Sequence, residues 1–258
     1  MASLRHYLDF AVETAYQAGQ LTLGYFNRGV EPEMKEDETP VTVADRQAEE
    51  LMRRRIEKAY PEHGILGEEF EEKGGSGGVR WLLDPIDGTK SFVRGVPLYG
   101  VLMGLEIEGR VEVGVAYFPA LGEMAYAATG EGCYLGGRRV RVAQTQTLAE
   151  STVSFTDVGN FERYGRGASW GRIQHRAAYR IGWSDAYGHM LVATGRAELM
   201  LDPVMNAWDC GPFPALLREA GGYFGDWAGN ETIYGNEALS TTQVLLPEVL
   251  ALLRGSDL

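Results

Sequence analysis

Four carboxylates stand where apolar runs stop: Glu68 in Gly67-Glu68-Glu69-Phe70, Asp84 and Asp87 in Leu83-Asp84-Pro85-Ile86-Asp87-Gly88-Thr89, and Asp209 in Trp208-Asp209-Cys210. Such positions lie near a core, where an unpaired charge is costly to desolvate. Either basic side chains or metal ions must offset them, and no lysine or arginine stands between Asp84 and Thr89. Hard cations are the better match, because Mg²⁺ takes oxygen ligands and keeps waters for chemistry.

The Asp84 to Thr89 segment has a geometric logic of its own. Pro85 fixes one φ angle and removes a donor, so that Asp84, Asp87 and the Ile86 carbonyl converge on one point instead of alternating along a strand. Gly88 lets the backbone approach a ligand closely. If a helical turn starts there, the amides of Gly88 and Thr89 cradle a phosphate. The Thr89 hydroxyl is suited to accept or pass on a proton from water. Plainer readings exist for each piece. Asp-Pro followed by Asp-Gly is ordinary turn composition, Glu68-Glu69 is a common solvated pair, and Asp209 is a natural helix cap. A calcium loop is excluded, because Ile86 and Gly95 occupy the positions where an EF-hand needs oxygen side chains.

The elements that must position these groups follow from periodicity. Leu4, Leu8, Ala11, Ala15, Ala18, Thr22 and Tyr25 mark one face of a helix over 4–28 that stops at Gly29. Residues 34–40 are charged, aperiodic and contain Pro40, which reads as an exposed loop. A second helix is expected over 43–59 with Ala48, Leu51, Met52, Ile56 and Ala59 inward. The glycine cluster 74–78 lacks the strand before and helix after that a dinucleotide fingerprint requires. Residues 79–83 suit a buried strand ending at Asp84, and strand-like runs at 101–107, 111–117, 123–128 and 133–135 form an antiparallel meander. Beyond 143 strands and helices alternate: strand 151–155, helix 161–166, strand 176–181, helix 184–194, strand 197–201, helix 209–220 and a last helix 247–254. This pattern predicts a layered α/β fold in two parts, 1–145 with the metal motif and 146–258 contributing Asp209 and a substrate pocket.

The chain of 258 residues is 45% hydrophobic, enough to fold without staples. Cys133 and Cys210 match no zinc or disulfide spacing and fit reduced thiols in a cytoplasmic protein. The first residues carry no leader-like apolar region, and no stretch approaches the roughly eighteen apolar residues of a membrane span. A net charge of −12 repels nucleic acid and anionic membranes, so an anionic substrate needs a local positive feature, which bound cations supply.

The combination of Gly67-Glu68-Glu69, Asp84 sixteen positions later, Asp84-Pro85-Ile86-Asp87-Gly88-Thr89, and a distant Trp208-Asp209 leading to Glu219-Ala220-Gly221-Gly222 resembles the inositol monophosphatase superfamily. The resemblance spans about residues 4–250. It implies a layered αβαβα sandwich like that of fructose-1,6-bisphosphatase, usually dimeric, with two to three Mg²⁺ per site. By motif, Glu68, Asp84 and the Ile86 carbonyl would hold one ion, Asp84, Asp87 and Asp209 a second, and Glu68 with water a weaker third. Thr89 would position the attacking water, with Asp45 of Val41-Thr42-Val43-Ala44-Asp45 bonded to it, and Lys35 would help close over the site. Asp45 is otherwise a plain first-turn acid of its helix. The implied reaction is in-line attack of a metal-activated water on a small phosphorylated alcohol, without a phosphoenzyme.

Within the superfamily, residues 89–97, 183–198 and 202–209 look closest to the histidinol-phosphatase branch. Asp185 stands where many inositol phosphatases carry alanine, and Asp202 matches a position that meets substrate in relatives. Two acids aimed at the leaving group suit a cationic alcohol such as L-histidinol better than inositol. Asp185 is otherwise a dipole-stabilising helix acid, Asp202 a turn acid before Pro203, and His189 a packed helix residue. Ser184 and Ala186 depart from the Gly-Asp-Cys common in the branch, which keeps an inositol-1-monophosphatase or broad sugar phosphatase as the alternative. A regulatory binding protein of the same fold is a third reading, disfavoured by the complete set of carboxylates.

Overall fold

A computed structural model of the chain describes residues 4–29, 31–34 and 40–255; Lys35 and most of the charged stretch around it lie outside the described residues. The first part runs α1 (Leu4–Leu23), the short antiparallel pair β1 (Glu33–Met34) and β2 (Pro40–Val41), α2 (Val43–Ala59), β3 (Gly64–Gly67), β4 (Val79–Asp87) and α3 (Thr89–Val93). The meander follows as β5 (Gly100–Ile107), β6 (Arg110–Phe118), β7 (Glu123–Ala128), β8 (Gly132–Leu135) and β9 (Arg138–Val140). After it come β10 (Thr152–Phe155), α4 (Val158–Arg163), α5 (Gly167–Arg176), β11 (Tyr179–Ile181), α6 (Asp185–Ala193), β12 (Leu199–Asp202), α7 (Ala207–Cys210), α8 (Phe213–Ala220), β13 (Gly222–Gly225), β14 (Ala238–Thr242) and α9 (Leu246–Arg254).

Among the described residues the larger sheet has seven strands in sequence order, β3 to β9, antiparallel except for the parallel pair β3 and β4. The smaller has five strands in the order β11-β10-β12-β14-β13. Alternation along each strand sends side chains into two different cores. Trp81, Leu83, Val101, Met103 and Leu105 meet Leu8, Ala11, Ala15, Met52 and Ile56 of α1 and α2. From the opposite face Leu82, Leu102, Ala116 and Phe118 meet Met190 of α6 and Phe213, Leu216 and Leu217 of α8. The same helices pack on Met200, Phe224 and Ala238 of the smaller sheet, whose other face carries Phe161, Trp170, Ile173 and Val249 from α4, α5 and α9. The layers are therefore αβαβα, as the motifs implied.

The differences from periodicity have local causes. The first helix ends at Leu23, and turns carry the chain to Gly29 at φ 69°. Ala59, the last residue of α2, is exposed, and Glu49 takes an inward position instead. Strand β4 continues through Pro85 to Asp87. Helix α5 occupies ground expected to lead into a strand, its pattern obscured by Gly167 and Gly171. The helix expected over 209–220 is broken at Gly211-Pro212 into α7 and α8. That break docks on the cross-strand pair Gly104 and Gly114, where a Cβ would overlap the carbonyl oxygens of Gly211 and Pro212.

Candidate metal centre

The site forms where β4 stops. Asp84 pairs with Leu102 and Asp87 with Gly100, so three steps along β4 cover two along β5. This bulge supplies the extra residue that brings two carboxylates an odd number of positions apart onto the same side. One oxygen each from Asp84, Asp87 and Asp209 lies within 4.8 Å of the others. Asp84 is buried, its Oδ1 accepting from the Ile86 amide at 3.0 Å, and Asp87 Oδ2 accepts from the Ala186 amide at the start of α6 at 2.8 Å.

Asp45 and Asp209 share one device. Each is the third residue of its helix and accepts from the backbone N–H of the cap: Thr42 N–H at 2.8 Å for Asp45 Oδ2, and Asn206 N–H at 2.7 Å for Asp209 Oδ2. The reciprocal capping box occupies one oxygen and leaves the other for the site. Asp45 Oδ1 uses it to accept from Thr89 Oγ1 at 3.3 Å, a hydroxyl that also reaches the Ile86 carbonyl at 3.1 Å. Gly88, at φ 77° in the left-handed region, precedes Thr89 as the cap of α3. Glu68 follows β3, half-buried, close enough to raise the pKa values of Asp45, Asp84 and Asp209.

The electrostatics are those of a cation site. Burial pushes the Asp45 carboxyl up to about 6 against the lowering effect of its Thr42 bonds. Asp84 and Asp87 are raised well above the carboxylate range, first by burial and then by neighbouring acids. Asp209 is pushed up to about 7, chiefly by burial. Among the described residues no lysine or arginine pairs with Asp84, Asp87 or Asp209. A converging, oxygen-only donor set without a basic partner fits a hard divalent cation.

Asp185 and Asp202 lie on the α6 side. Asp185 is the first residue of α6, as the plain reading held, yet its carboxylate turns to the site: its Oδ2 would sit 3.0 Å from a Cβ on Gly88 and accepts from Ser91 Oγ at 3.3 Å. Asp185 is held at φ 43° and Trp183 at φ 62°, both left-handed without glycine. Thr156 links the two acids, its hydroxyl accepting from the Asp185 amide at 3.1 Å and donating to Asp202 Oδ2 at 2.8 Å. Burial raises Asp185, opposed by Ser91 and by the Lys90 charge, and pushes Asp202 up to about 7. His189 is fully buried, bonded through Nδ1 to Ser240 Oγ at 2.7 Å and pushed down to about 3 by burial. It packs against Phe213 and stands apart from the acids.

Two residues here escape motif reading. Thr156 follows an ordinary strand and carries no spacing that marks it. Glu49 left a trace, since a carboxylate on the apolar stripe of α2, four residues before Arg53, demands a buried partner.

Layered αβαβα architecture with a carboxylate cluster at a strand bulge defines a class of hydrolase with a candidate metal centre. A family model for the inositol monophosphatase family matches residues 3–256. The chain is 45% identical over 233 residues to a histidinol-phosphatase of Chlorobaculum parvum, covering 90% of each. It is 32% identical over 229 residues to an inositol-1-monophosphatase of Rhizobium meliloti, covering 86% of each. The solved inositol monophosphatase of Thermotoga maritima superposes with a TM-score of 0.88 at 28% identity, over 97% of both chains. The chain belongs to the inositol monophosphatase family and is a phosphoric monoester hydrolase. Among the described residues no helix is long and apolar enough to cross a membrane.

Proposed function

We propose that this chain is a Mg²⁺-dependent phosphatase of L-histidinol phosphate, releasing L-histidinol and phosphate as a step of histidine biosynthesis. Residues 1–145 supply Glu68, Asp84, the Ile86 carbonyl and Asp87 as ligands, and 146–258 supply Asp209 and the leaving-group pocket. Bound Mg²⁺ offsets the clustered carboxylates, activates water and neutralises charge on the phosphate. Thr89 Oγ1 gives its one proton to Asp45 or the Ile86 carbonyl, which leaves lone pairs to accept from the attacking water. Gly88 and Thr89 present backbone amides to the phosphate.

The observation that carries the substrate assignment is the Asp185 carboxylate beside Gly88, with the backbone amide of Asp185 joined through the Thr156 hydroxyl to the Asp202 carboxylate. An ester whose phosphate meets Gly88 presents its alcohol to these two acids, and histidinol offers them an ammonium and an imidazole. The name of the Chlorobaculum relative agrees. An inositol-1-phosphate or broad sugar phosphatase is the second reading, favoured by Ser184 and Ala186 and by Lys90, whose charge also acts on Asp185. A binding-only protein is disfavoured by the intact acid set. Assembly as a homodimer has a surface to use in Tyr179, Ile181 and Trp183, exposed on and after edge strand β11; sedimentation tests it.

The decisive measurement is kcat/KM on histidinol phosphate, inositol 1-phosphate, fructose 1,6-bisphosphate and adenosine 3′,5′-bisphosphate, with and without Mg²⁺, for the wild type and Asp185→Asn. Asparagine tolerates the left-handed backbone that alanine would strain. Losing one charge-assisted contact should cost histidinol phosphate about 10- to 100-fold and inositol phosphate little. Equal losses on both refute the charge argument, and no turnover of any ester with Mg²⁺ refutes the enzyme assignment.

A further inference from the structure

Glu49 is a fully buried acid on the core side of α2. Its Oε1 accepts from Arg53 Nε at 2.7 Å and its Oε2 from the backbone N–H of Glu69 at 2.7 Å. Its carboxylate also fills the space above Gly67, where a Cβ would overlap Oε1. Arg53 completes the contact: Nη2 donates to the Phe70 carbonyl at 3.1 Å, and the guanidinium stands 5.7 Å from the centre of the Phe70 ring. Residues 67, 69 and 70 are thus all held by one ion pair, and the residue they enclose is Glu68. The ladder that β3 makes with β4 ends at Gly67, so the backbone beyond it depends on such contacts. A buried ion pair is a poor source of net stability, because desolvation consumes most of its attraction. Its value here is in geometry.

We propose that Glu49 and Arg53 are positioning residues that aim the Glu68 carboxylate at the metal centre. The proposal rests on the reading of Glu68 as a metal ligand. Partners that orient a ligand typically change metal affinity 10- to 100-fold when removed.

The test is calorimetric titration of Mg²⁺ into metal-free protein, alongside kcat and KM at varied Mg²⁺. Four proteins are compared: wild type, Glu49→Gln, Arg53→Lys and Glu68→Gln. Glutamine still accepts from Glu69 but loses the charge pair, and lysine keeps the charge but cannot bridge to Phe70. Glu49→Gln should weaken Mg²⁺ binding about tenfold, with KM for the ester unchanged and kcat restored at high Mg²⁺. Arg53→Lys should fall between it and the wild type. Adding Glu49→Gln to Glu68→Gln should cost Mg²⁺ affinity nothing further, since both act through one carboxylate. If Glu68→Gln leaves Mg²⁺ binding intact, the ligand reading fails and this proposal with it. If Glu68→Gln weakens binding while Glu49→Gln and Arg53→Lys lower only Tm, the pair is merely structural and the positioning role is refuted.

Discussion

Replacing Asp84 by asparagine should stabilise the metal-free protein while abolishing its response to Mg²⁺. The oxygens of Asp84, Asp87 and Asp209 lie within 4.8 Å of one another. At an effective dielectric of about 20, each fully charged pair at that distance repels by about 3.5 kcal/mol. Proton uptake caps the cost: holding a carboxyl of ordinary pKa near 4 protonated at pH 7.5 costs at most about 5 kcal/mol. Asparagine preserves the shape and the acceptor for the Ile86 amide, so about 2–4 kcal/mol should be recovered, roughly 4–16 °C in Tm for a chain of this size. In Mg²⁺ the gap closes. A cation at a hundred times its Kd stabilises the wild type by about 2.7 kcal/mol and the variant hardly at all. Calorimetric melting at pH 7.5, in chelator and in Mg²⁺, reads both effects. A variant that melts below the wild type in chelator, or that keeps the Mg²⁺ shift, refutes the view of these carboxylates as a repelling cluster awaiting a cation.

Gly104→Ala should drive a Cβ into the Gly211 carbonyl, costing about 1–3 kcal/mol and weakening Mg²⁺ binding by shifting Asp209; urea unfolding and metal titration measure the two. His189 is held neutral, with a folded pKa of about 3 below its unfolded value near 6.5. Its stabilising contribution is complete above about pH 6.5 and is lost as pH falls toward 3, by about 1.4 kcal/mol per unit. His189→Gln should flatten that slope in urea titrations between pH 4 and 6. Burial pushes the Asp202 carboxyl up to about 7, so it gains charge as pH rises and KM for a cationic ester should fall from pH 6 to 8, less steeply in Asp202→Asn. Thr156→Val removes the hydroxyl linking Asp185 to Asp202 and should raise KM for histidinol phosphate more than for inositol phosphate in the same assay.

Much of this is legible in one dimension because it is local. The span of α2 and the β5 to β8 meander follow from periodicity and turn residues, which act over a few positions. The acids of the centre are legible through their incongruity: Glu68, Asp84, Asp87 and Asp209 are charged where their neighbours are apolar. Helix α5 and strands β13 and β14 escape notice because glycine and small residues blur their period, and they persist because their Trp170, Tyr223 and Leu239 join one buried cluster.

Residue order alone marks Glu68, Asp84, Asp87 and Asp209 as acids beside apolar runs, the composition of a candidate cation site. How they meet depends on the folded chain. The β4 bulge turns Asp84 and Asp87 to one side, the Gly104 and Gly114 pair lets α7 bring Asp209 to them, and Thr156 joins two acids from different elements. The reason is physical. Desolvation cost depends on residue type and apolar surroundings, which the sequence displays, whereas convergence depends on strand register and helix docking between segments more than a hundred residues apart.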